Sequence, residues 1–216
     1  KRKIEKVLSL LTTGKKDDTV AATRILSSMK DDVVSLLLKR LESDNYEESQ
    51  KAAEALIILG ERAVPQLLYK LEYPGSNKIE NDIREILIRI GEPAVPILIK
   101  QLKEGHTSDQ SNAGIRIARL HAANILNEIK DPRAVSSLIE LLTDQDSALR
   151  ISAAHALGNI KDPRTVDPLI AALNDKDKNV KATAIHSLGE IGDTRAIGHL
   201  IIAFKDKQNN NNAVDA

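Results

Sequence analysis

The chain has 216 residues, and its 31 lysine and arginine residues are balanced by 31 aspartate and glutamate residues. The formal net charge is therefore zero, so no overall charge attracts the chain to nucleic acid or to an anionic membrane. Cysteine is absent, which excludes disulfides, a thiolate nucleophile and a cysteine zinc site. No apolar run approaches the roughly 20 residues that span a bilayer. We expect a soluble protein and place it in the cytoplasm.

Apolar residues recur in one four-residue block along almost the whole chain. Within each block they stand at positions i, i+3, i+4 and i+7, the spacing that puts four side chains on one face of an α-helix. The blocks begin at Ile4, Val34, Val64, Val95, Val135, Val166 and Ile197. A second series of stripes, richer in alanine, begins at Ala22, Ala52, Ile83, Ala122, Ala153 and Ala184. The alternation predicts an array of helix pairs that bury their stripes against one another.

The segments between these helices carry residues typical of helix ends. Asp131–Pro132 and Asp162–Pro163 have the pattern of an N-cap aspartate followed by proline in the first turn. Gly60, Gly91 and Gly192 follow the alanine-rich helices, where a glycine just past the helix end adopts the left-handed helical conformation. The turns therefore agree with the periodicity.

The regular spacing of the blocks is interrupted between Lys103 and Gly114, where the distance in sequence from one block to the next grows from about 31 to about 40 residues. This segment is predicted to be a loop, with Ser111 or Asn112 capping a long helix that ends at Ile129. An insertion in a repeat array often marks the binding face, but surface loops also tolerate insertions at little cost. Both interpretations stay open.

Residues 1–207 are predicted to form a single repeat domain, and residues 208–216, which have no apolar period, a disordered tail or linker. The chain does not begin with Met, and its first block has no alanine-rich partner helix before it. We therefore expect the sequence to be part of a longer protein.

The motif D-x-R-A-V-x-x-L-I-x-x-L followed by V-[RK]-x-x-A-x-x-A-L-G-x-I fits best at Asp131–Gly158 and Asp162–Gly189. On these residues the chain resembles HEAT repeats, specifically the short HEAT-like class found in phycobilisome bilin lyases. The resemblance runs from Ile4 to Phe204 and is strong after Arg119. It implies an all-α fold, a right-handed α-α superhelix (HEAT-like solenoid) of about six helix pairs with an extra N-terminal helix. This family includes scaffolds, adaptors and a few enzymes, so the resemblance predicts the fold better than the function.

The residues needed by enzymes with related repeats are missing. Deoxyhypusine hydroxylase binds iron through His-Glu pairs, whereas His155 and His186 are followed by Ala and Ser, and the chain contains no His-Glu dipeptide. Both histidines are expected to face solvent, because each lies two residues beyond a core alanine. Three Tyr, one Phe and no Trp are a poor lining for a bilin lyase or DNA glycosylase site. We predict a non-enzyme without metal or cofactor.

A partner-binding surface is predicted on the helices that carry the four-residue blocks, which the HEAT-like resemblance places on the concave face. Beside the stripe, the second to fourth of these helices carry basic and aromatic residues, and Leu36 and Ile97 are expected to add exposed apolar surface. Tyr and Arg are typical anchors of protein interfaces. The predicted partner-binding residues are Lys39, Arg40, Tyr69, Lys70, Tyr73, Ile97, Lys100 and Gln101. Alternatively, Tyr69 and Tyr73 form an i, i+4 pair that packs over a helix end.

These features favour a non-catalytic scaffold or adaptor that binds a protein or peptide segment on the concave face, with no nucleic-acid or membrane partner. The alternative is an accessory subunit or domain of an enzyme, such as a bilin lyase-like or metal-dependent HEAT-repeat enzyme. A spacer role within a longer protein and homo-oligomerisation through an uncapped end also stay open. The sequence names neither the partner nor the oligomeric state.

Overall fold

The structure is a computed structural model that describes residues 2–11, 15–29, 32–73, 75–104 and 113–212, with side chains omitted at 32 and 206–212. Every regular element in these ranges is helical, which confirms the predicted all-α fold of helix pairs. The helices are α1 (Arg2–Leu11), α2 (Lys16–Ser27), α3 (Asp32–Leu41), α4 (Tyr46–Leu59), α5 (Val64–Glu72), α6 (Asn77–Ile90), α7 (Val95–Lys103), α8 (Ala113–Ile129), α9 (Val135–Leu141), α10 (Ser147–Ile160), α11 (Val166–Ala172), α12 (Lys178–Ile191) and α13 (Ile197–Asn212). A short 3-10 turn precedes each of α5, α7, α9, α11 and α13.

The helices group into two compact units. The first comprises Lys1–Gln101 and Gly105–His121, and the second comprises Leu102–Glu104 and Ala122–Ala216. In the first unit α4 packs against both α2 and α6, while α1, α3 and α5 pack on this row from one side. In the second unit α10 packs against α12, and α9 and α11 pack on them in turn. The single domain expected over residues 1–207 stays a prediction.

The core is built from the two series of apolar stripes. The second residue of each block is fully buried in the described helices from α3 to α11: Leu37, Leu67, Leu98, Leu138 and Leu169. The alanine-rich stripes are buried equally well, as at Ala22, Ala52, Ala122, Ala153 and Ala184. Each buried leucine contributes about 1.5–3 kcal/mol of transfer free energy, so the repeated block is the main stabilising element.

The last block departs from this pattern. Ile197, Ile201 and Phe204 on α13 are each half-exposed or more, whereas the equivalent positions in earlier blocks are buried or partly buried. The described residues include no helix after α13 that could cover its apolar stripe. The expectation that all seven blocks are buried is therefore wrong for the last one.

The predicted helix caps are confirmed for the aspartates. The Asp131 carboxylate accepts a hydrogen bond from the Arg133 backbone N–H at 2.8 Å, and Asp162 accepts from that of Arg164 at 2.9 Å. Each cap begins the 3-10 turn that leads into the α-helix. The aspartates thereby satisfy backbone donors that the turn leaves without an intrahelical partner.

The glycine prediction is only partly right. Gly192 adopts the left-handed helical conformation (φ 70°, ψ 19°), as expected. Gly60 and Gly91 have positive φ, but with ψ of −131° and −134° they lie outside the left-handed helical region. Two lysines that the sequence did not single out, Lys130 and Lys161, also have positive φ, of 58° and 57°.

The described residues cover two other predictions only in part. Helix α8 ends at Ile129 as predicted, while its proposed caps, Ser111 and Asn112, and most of the predicted insertion loop lie outside the described residues. Helix α13 continues to Asn212 and so extends into the segment for which a disordered tail or linker was expected.

Candidate partner-binding face

Helices α3 and α5 lie side by side in a defined register. The Ser35 hydroxyl donates a hydrogen bond to the Gln66 side-chain oxygen at 2.9 Å. Further along, the Lys70 ammonium on α5 lies 2.5 Å from a carboxylate oxygen of Glu42, the residue that follows the end of α3. The 3-10 turns that precede α5 and α7 also contact each other, which continues the row to α7. We call a set of residues at equivalent repeat positions of α3, α5 and α7 a row.

One of these rows consists of Lys39, Tyr69 and Lys100, which we call the central row. All three side chains are exposed, and the Tyr69 side chain lies 70% exposed between the two lysine positions. Tyr73 follows at the C-terminal end of α5 and is 63% exposed. Four of the eight predicted partner-binding residues are thus exposed on the first unit.

The other four predicted residues, Arg40, Lys70, Ile97 and Gln101, are partly buried. The apolar surface expected at Leu36 and Ile97 is smaller than predicted, because both side chains are only partly exposed. Lys70 is engaged with Glu42 on the neighbouring helix. Two of these residues, Arg40 and Lys70, are bound to carboxylates of neighbouring elements and so help to hold the helices of the face together.

Arg40 is the strongest example of such support. Its guanidinium donates hydrogen bonds to Glu5 on α1 and to Glu48 on α4, so it joins three helices. Burial disfavours the charged form of Arg40, but the two carboxylates outweigh burial and raise its pKa. A hydrogen bond from Ser43 and the guanidinium of Arg40 lower the pKa of Glu48. This cluster fixes the position of α3, which carries Lys39.

The two tyrosines of α5 do not pack over a helix end. Both are more than half exposed, and Tyr73 follows the last residue of the helix in a non-helical conformation (φ −142°, ψ 72°) that takes it out of the helical spacing. The alternative in which they form a packed i, i+4 pair is therefore not what the structure shows. Their rings are accessible to another molecule.

All aromatic side chains of this chain are exposed. Tyr46, at the first position of α4, is 74% exposed, and Phe204 on α13 is 54% exposed, in addition to Tyr69 and Tyr73. Among the described residues, the buried hydrophobic side chains are all aliphatic. Sequence reasoning did not place Tyr46 in the site; its position outside both apolar stripes was the signal that could have found it.

The histidines form no catalytic or metal arrangement in the described residues. His155 and His186 are exposed, as predicted. The side chain of His121 is mostly buried, with Nε2 3.8 Å from a Glu80 oxygen, and burial lowers its pKa against the opposing charge of Glu80. No group of three or more His, Cys, Asp or Glu side chains in the described part of the chain is placed to hold a metal ion.

An open groove of about 500 Å³ in the second unit borders Arg150, Asp175 and the ends of α9 and α11. Arg150 binds both oxygens of Asp175 at 2.8 Å and the backbone oxygens of Asp144 and Gln145 at 2.8 and 3.1 Å. The guanidinium group of Arg150 thereby links two adjacent repeats. The residues that border this groove therefore have a structural role, and they form no catalytic arrangement.

The alternating rows of paired helices define an all-helical repeat protein. Residues 116–173 and 136–213 match the family model for HEAT repeats, so this part of the chain consists of HEAT repeats. Across the described ranges, each helix is too short or too polar to cross a membrane. No curated protein matches the chain.

Several solved structures resemble this chain in fold, although the sequences of those proteins are distant from it. An engineered protein is 22% identical over 93% of this chain, which spans 61% of that protein, with a TM-score of 0.41. A designed armadillo repeat protein in complex with the peptide (KR)4 is 16% identical over 86% of this chain and 98% of its own, with a TM-score of 0.40. Human deoxyhypusine hydroxylase in complex with glycerol is 16% identical over 86% of this chain and 83% of its own, with a TM-score of 0.35.

Proposed function

We propose that this chain is a non-catalytic, cytoplasmic interaction module of the short HEAT-like class. It binds a segment of a partner protein on the face formed by α3, α5 and α7, and the motif at Asp131–Gly158 supports the assignment to the short class. The central row and Tyr73 are the contact residues. Arg40 and Lys70 hold the helices that present them.

The observation that carries this proposal is the exposure of the tyrosines. Aromatic side chains bury more apolar area than most others and usually pack in a core, yet the three tyrosines of this chain all lie on the surface of the first unit. They therefore contribute little to the stability of their own fold. Tyrosine is enriched at the energetic centres of protein interfaces, because it combines a large rigid ring with a hydrogen-bonding group.

The basic residues of this face also support a role in partner binding. Arg40 and Lys70 are bound to carboxylates of the same unit, and Lys39 and Lys100 lie at exposed positions on the two helices that flank Tyr69. A rigid support beneath the contact residues favours binding, since the helices that carry them lose no conformational freedom when a partner binds.

The test is capture of the native partner by the immobilised full chain. Replacing Lys39 and Lys100 together with glutamate, or Tyr69 and Tyr73 together with alanine, should abolish capture of the protein retained by the wild type. Lys181→Glu, an exposed charge reversal on α12 in the second unit, is the matched control and should capture the partner normally. Circular dichroism should be the same for all variants. Undiminished capture by both face variants overturns the proposal.

A further inference from the structure

We infer that the exposed side of α12 and α13 in the second unit is a docking surface for a helix pair of the same HEAT type in another protein. This end surface comprises Ala182, Gly189, Ile201 and Phe204. It is separate from the face formed by α3, α5 and α7 and takes a different ligand. Three observations carry the inference: the apolar side chains exposed on α13, the contact that the preceding repeat makes at the same positions, and the open space at Gly189.

Helix α13 carries much of the exposed apolar surface of this chain. Ile197, Ile201, Ile202 and Phe204 are each half-exposed or more, and they are four of the eight large hydrophobic side chains exposed in the described residues. Single exposed apolar side chains are normal on a protein surface, whereas several together are typical of an interaction site. The end surface therefore has the composition of an interface.

The contact between the two preceding repeats indicates what covers such positions. Ile151 on α10 and Leu173 at the end of α11 are only partly exposed, because both pack against a buried cluster that includes Val180 and Ala184 of α12. The first helix of one repeat thus covers apolar side chains of the repeat before it. One repeat later, the residues at the positions of Ile151 and Leu173 are Ala182 and Phe204, and both are exposed.

Gly189 is a close-contact position that no other residue contacts. Its equivalent on α10, Gly158, lies so near Ser187 of α12 that an added β-carbon would be 2.5 Å from the serine β-carbon. A β-carbon added to Gly189 meets no atom within 4 Å. Glycine inside a helix lowers its stability, so an exposed glycine at this position fits the close approach of another helix. The end surface therefore continues the kind of interface that α10 makes with α12.

This interface defines the helix that fits the end surface. Opposite Gly189 it needs a small side chain, as α12 provides opposite α10 with Ser187. Three and seven residues earlier it needs an alanine and a β-branched residue, as α12 has at Ala184 and Val180. The second helix of the same pair would then cover the apolar stripe of α13, as the resemblance between successive repeats implies.

A second copy of this chain offers no such helix. Val180, Ala184 and Ser187 are buried in its own core. Helix α2, which begins this series of helices, has Asp18 and Ile25 at the positions of Val180 and Ser187. A carboxylate placed against the apolar end surface would lose its hydration without a partner. The occupant is therefore a helix pair of another protein.

The experiment measures binding of a labelled synthetic peptide with the sequence of residues 175–205 to the full chain by fluorescence anisotropy. Saturable binding is expected. Gly189→Leu should weaken binding by about tenfold or more, because leucine fills the space that the serine of the peptide needs, and Phe204→Ser should weaken it as much. Circular dichroism should be the same for both variants. Lys39→Glu, on the face of the first unit, is the control and should bind the peptide as the wild type does.

Two further measurements test the complementarity and the source of the helix pair. A peptide with Ser187→Leu should bind about tenfold more weakly than the unchanged peptide. In a second arm the same residues 175–205 are inserted after Lys205 of the full chain, which keeps the spacing of the blocks at about 31 residues. The insertion should raise the urea concentration at the midpoint of unfolding, and Gly189→Leu should remove this gain.

Each contrary outcome has a distinct meaning. Equal binding of the two peptides, or neither binding nor a gain from the insertion, overturns the inference. A gain from the insertion without binding of the separate peptide overturns supply of the helix pair by another protein. Sedimentation of the chain alone should show a monomer, and a dimer that Phe204→Ser dissociates overturns the inference in favour of a second copy. The capture experiment on the face of the first unit is independent of all these outcomes.

Discussion

A β-carbon added to Gly158 on α10 would lie 2.5 Å from the β-carbon of Ser187 on α12. Carbon atoms in contact are normally about 3.5–4.0 Å apart, so these helices meet at a distance that only glycine permits. The Ser187 hydroxyl donates a hydrogen bond of 2.8 Å to the Ala154 backbone oxygen, which fixes the serine in place. The contact between the two repeats therefore depends on the absence of a side chain at Gly158.

Gly158→Ala should destabilise the chain. Although alanine favours helix over glycine by about 1 kcal/mol, the added methyl group must displace Ser187 or separate the helices, and overpacking of this kind costs about 1–3 kcal/mol. Gly189→Ala is the matched control, because Gly189 occupies the equivalent position on α12 and an added β-carbon there meets no atom within 4 Å. That variant should be neutral or more stable by up to about 1 kcal/mol.

Urea unfolding followed by circular dichroism measures both variants. The informative quantity is the difference between the free energies of unfolding of the two variants, since both changes remove a glycine from the same helical position. Equal effects would show that the α10–α12 contact relaxes without strain.

Lys161→Gly should stabilise the protein. Lys161 ends α10 in the left-handed conformation (φ 57°, ψ 31°), and the equivalent residue after α12 is Gly192 (φ 70°, ψ 19°). The left-handed conformation costs a side-chain-bearing residue about 1–2 kcal/mol, whereas glycine adopts it freely but loses about 0.5–1 kcal/mol through the entropy of the unfolded chain. A gain of up to about 1 kcal/mol is expected.

The Lys161 ammonium lies 3.6 Å from Glu190, and both side chains are about half exposed. Such a pair contributes little, so its loss should not cancel the gain. Lys161→Ala separates the two effects, because it removes the ion pair and retains the strained backbone. Thermal unfolding should rank the glycine variant above the wild type and the alanine variant no higher than the wild type.

The local pattern was predictable because one repeated physical requirement produces it. A helix that buries one face needs apolar residues at helical spacing, and that spacing is visible in every block from Ile4 to Ile197. The capping aspartates are equally local, since Asp131 and Asp162 bind backbone groups only two residues away. Neither feature depends on how distant segments meet.

The composition of the candidate face was predictable only in part, because burial there depends on partners distant in sequence. Arg40 is withdrawn from the surface by Glu5 and Glu48, and Lys70 by Glu42. Nothing at the position of Arg40 itself distinguishes it from the exposed Lys39 one residue earlier. The positive φ of Lys161 was missed for a related reason, since only alignment with Gly192 indicates that the backbone needs it.

Arg150→Met should destabilise the protein by about 3 kcal/mol, because it leaves the mostly buried carboxylate of Asp175 without its partner. The open groove beside this pair admits water, which places the expected loss at the low end of the range for a broken buried pair. Lys181, at the equivalent position of the next repeat, is exposed, so Lys181→Met is the matched control and should change stability little.

Urea unfolding of the Arg150→Met, Asp175→Asn and double variants tests this interpretation. The double variant should be less destabilised than the sum of the two single ones, because it has no unpaired charge. Additive losses would indicate that Arg150 acts through its bonds to the Asp144 and Gln145 backbone alone.

The stability supplied by Asp162 should depend on pH. Hydrogen bonds from the Arg164 guanidinium and backbone N–H lower the pKa of Asp162 to about 2. In the unfolded chain an aspartate titrates near pH 3.9, so the ionised form is favoured by folding. The contribution is complete above about pH 4 and is lost as the pH falls toward 2, because protonation then becomes linked to unfolding.

Asp162→Asn isolates this effect, since asparagine is as good an N-cap as aspartate but cannot form the ion pair with Arg164. At neutral pH the wild type should melt at a higher temperature than the variant, and the difference should shrink steadily below about pH 4. Asp167→Asn is the control, because Asp167 is exposed and lies 3.4 Å from Arg195. Its melting temperature should differ little from that of the wild type at every pH. A constant gap between wild type and Asp162→Asn from neutral pH to the acid limit would mean that the carboxylate acts only as a cap and that its charge contributes nothing.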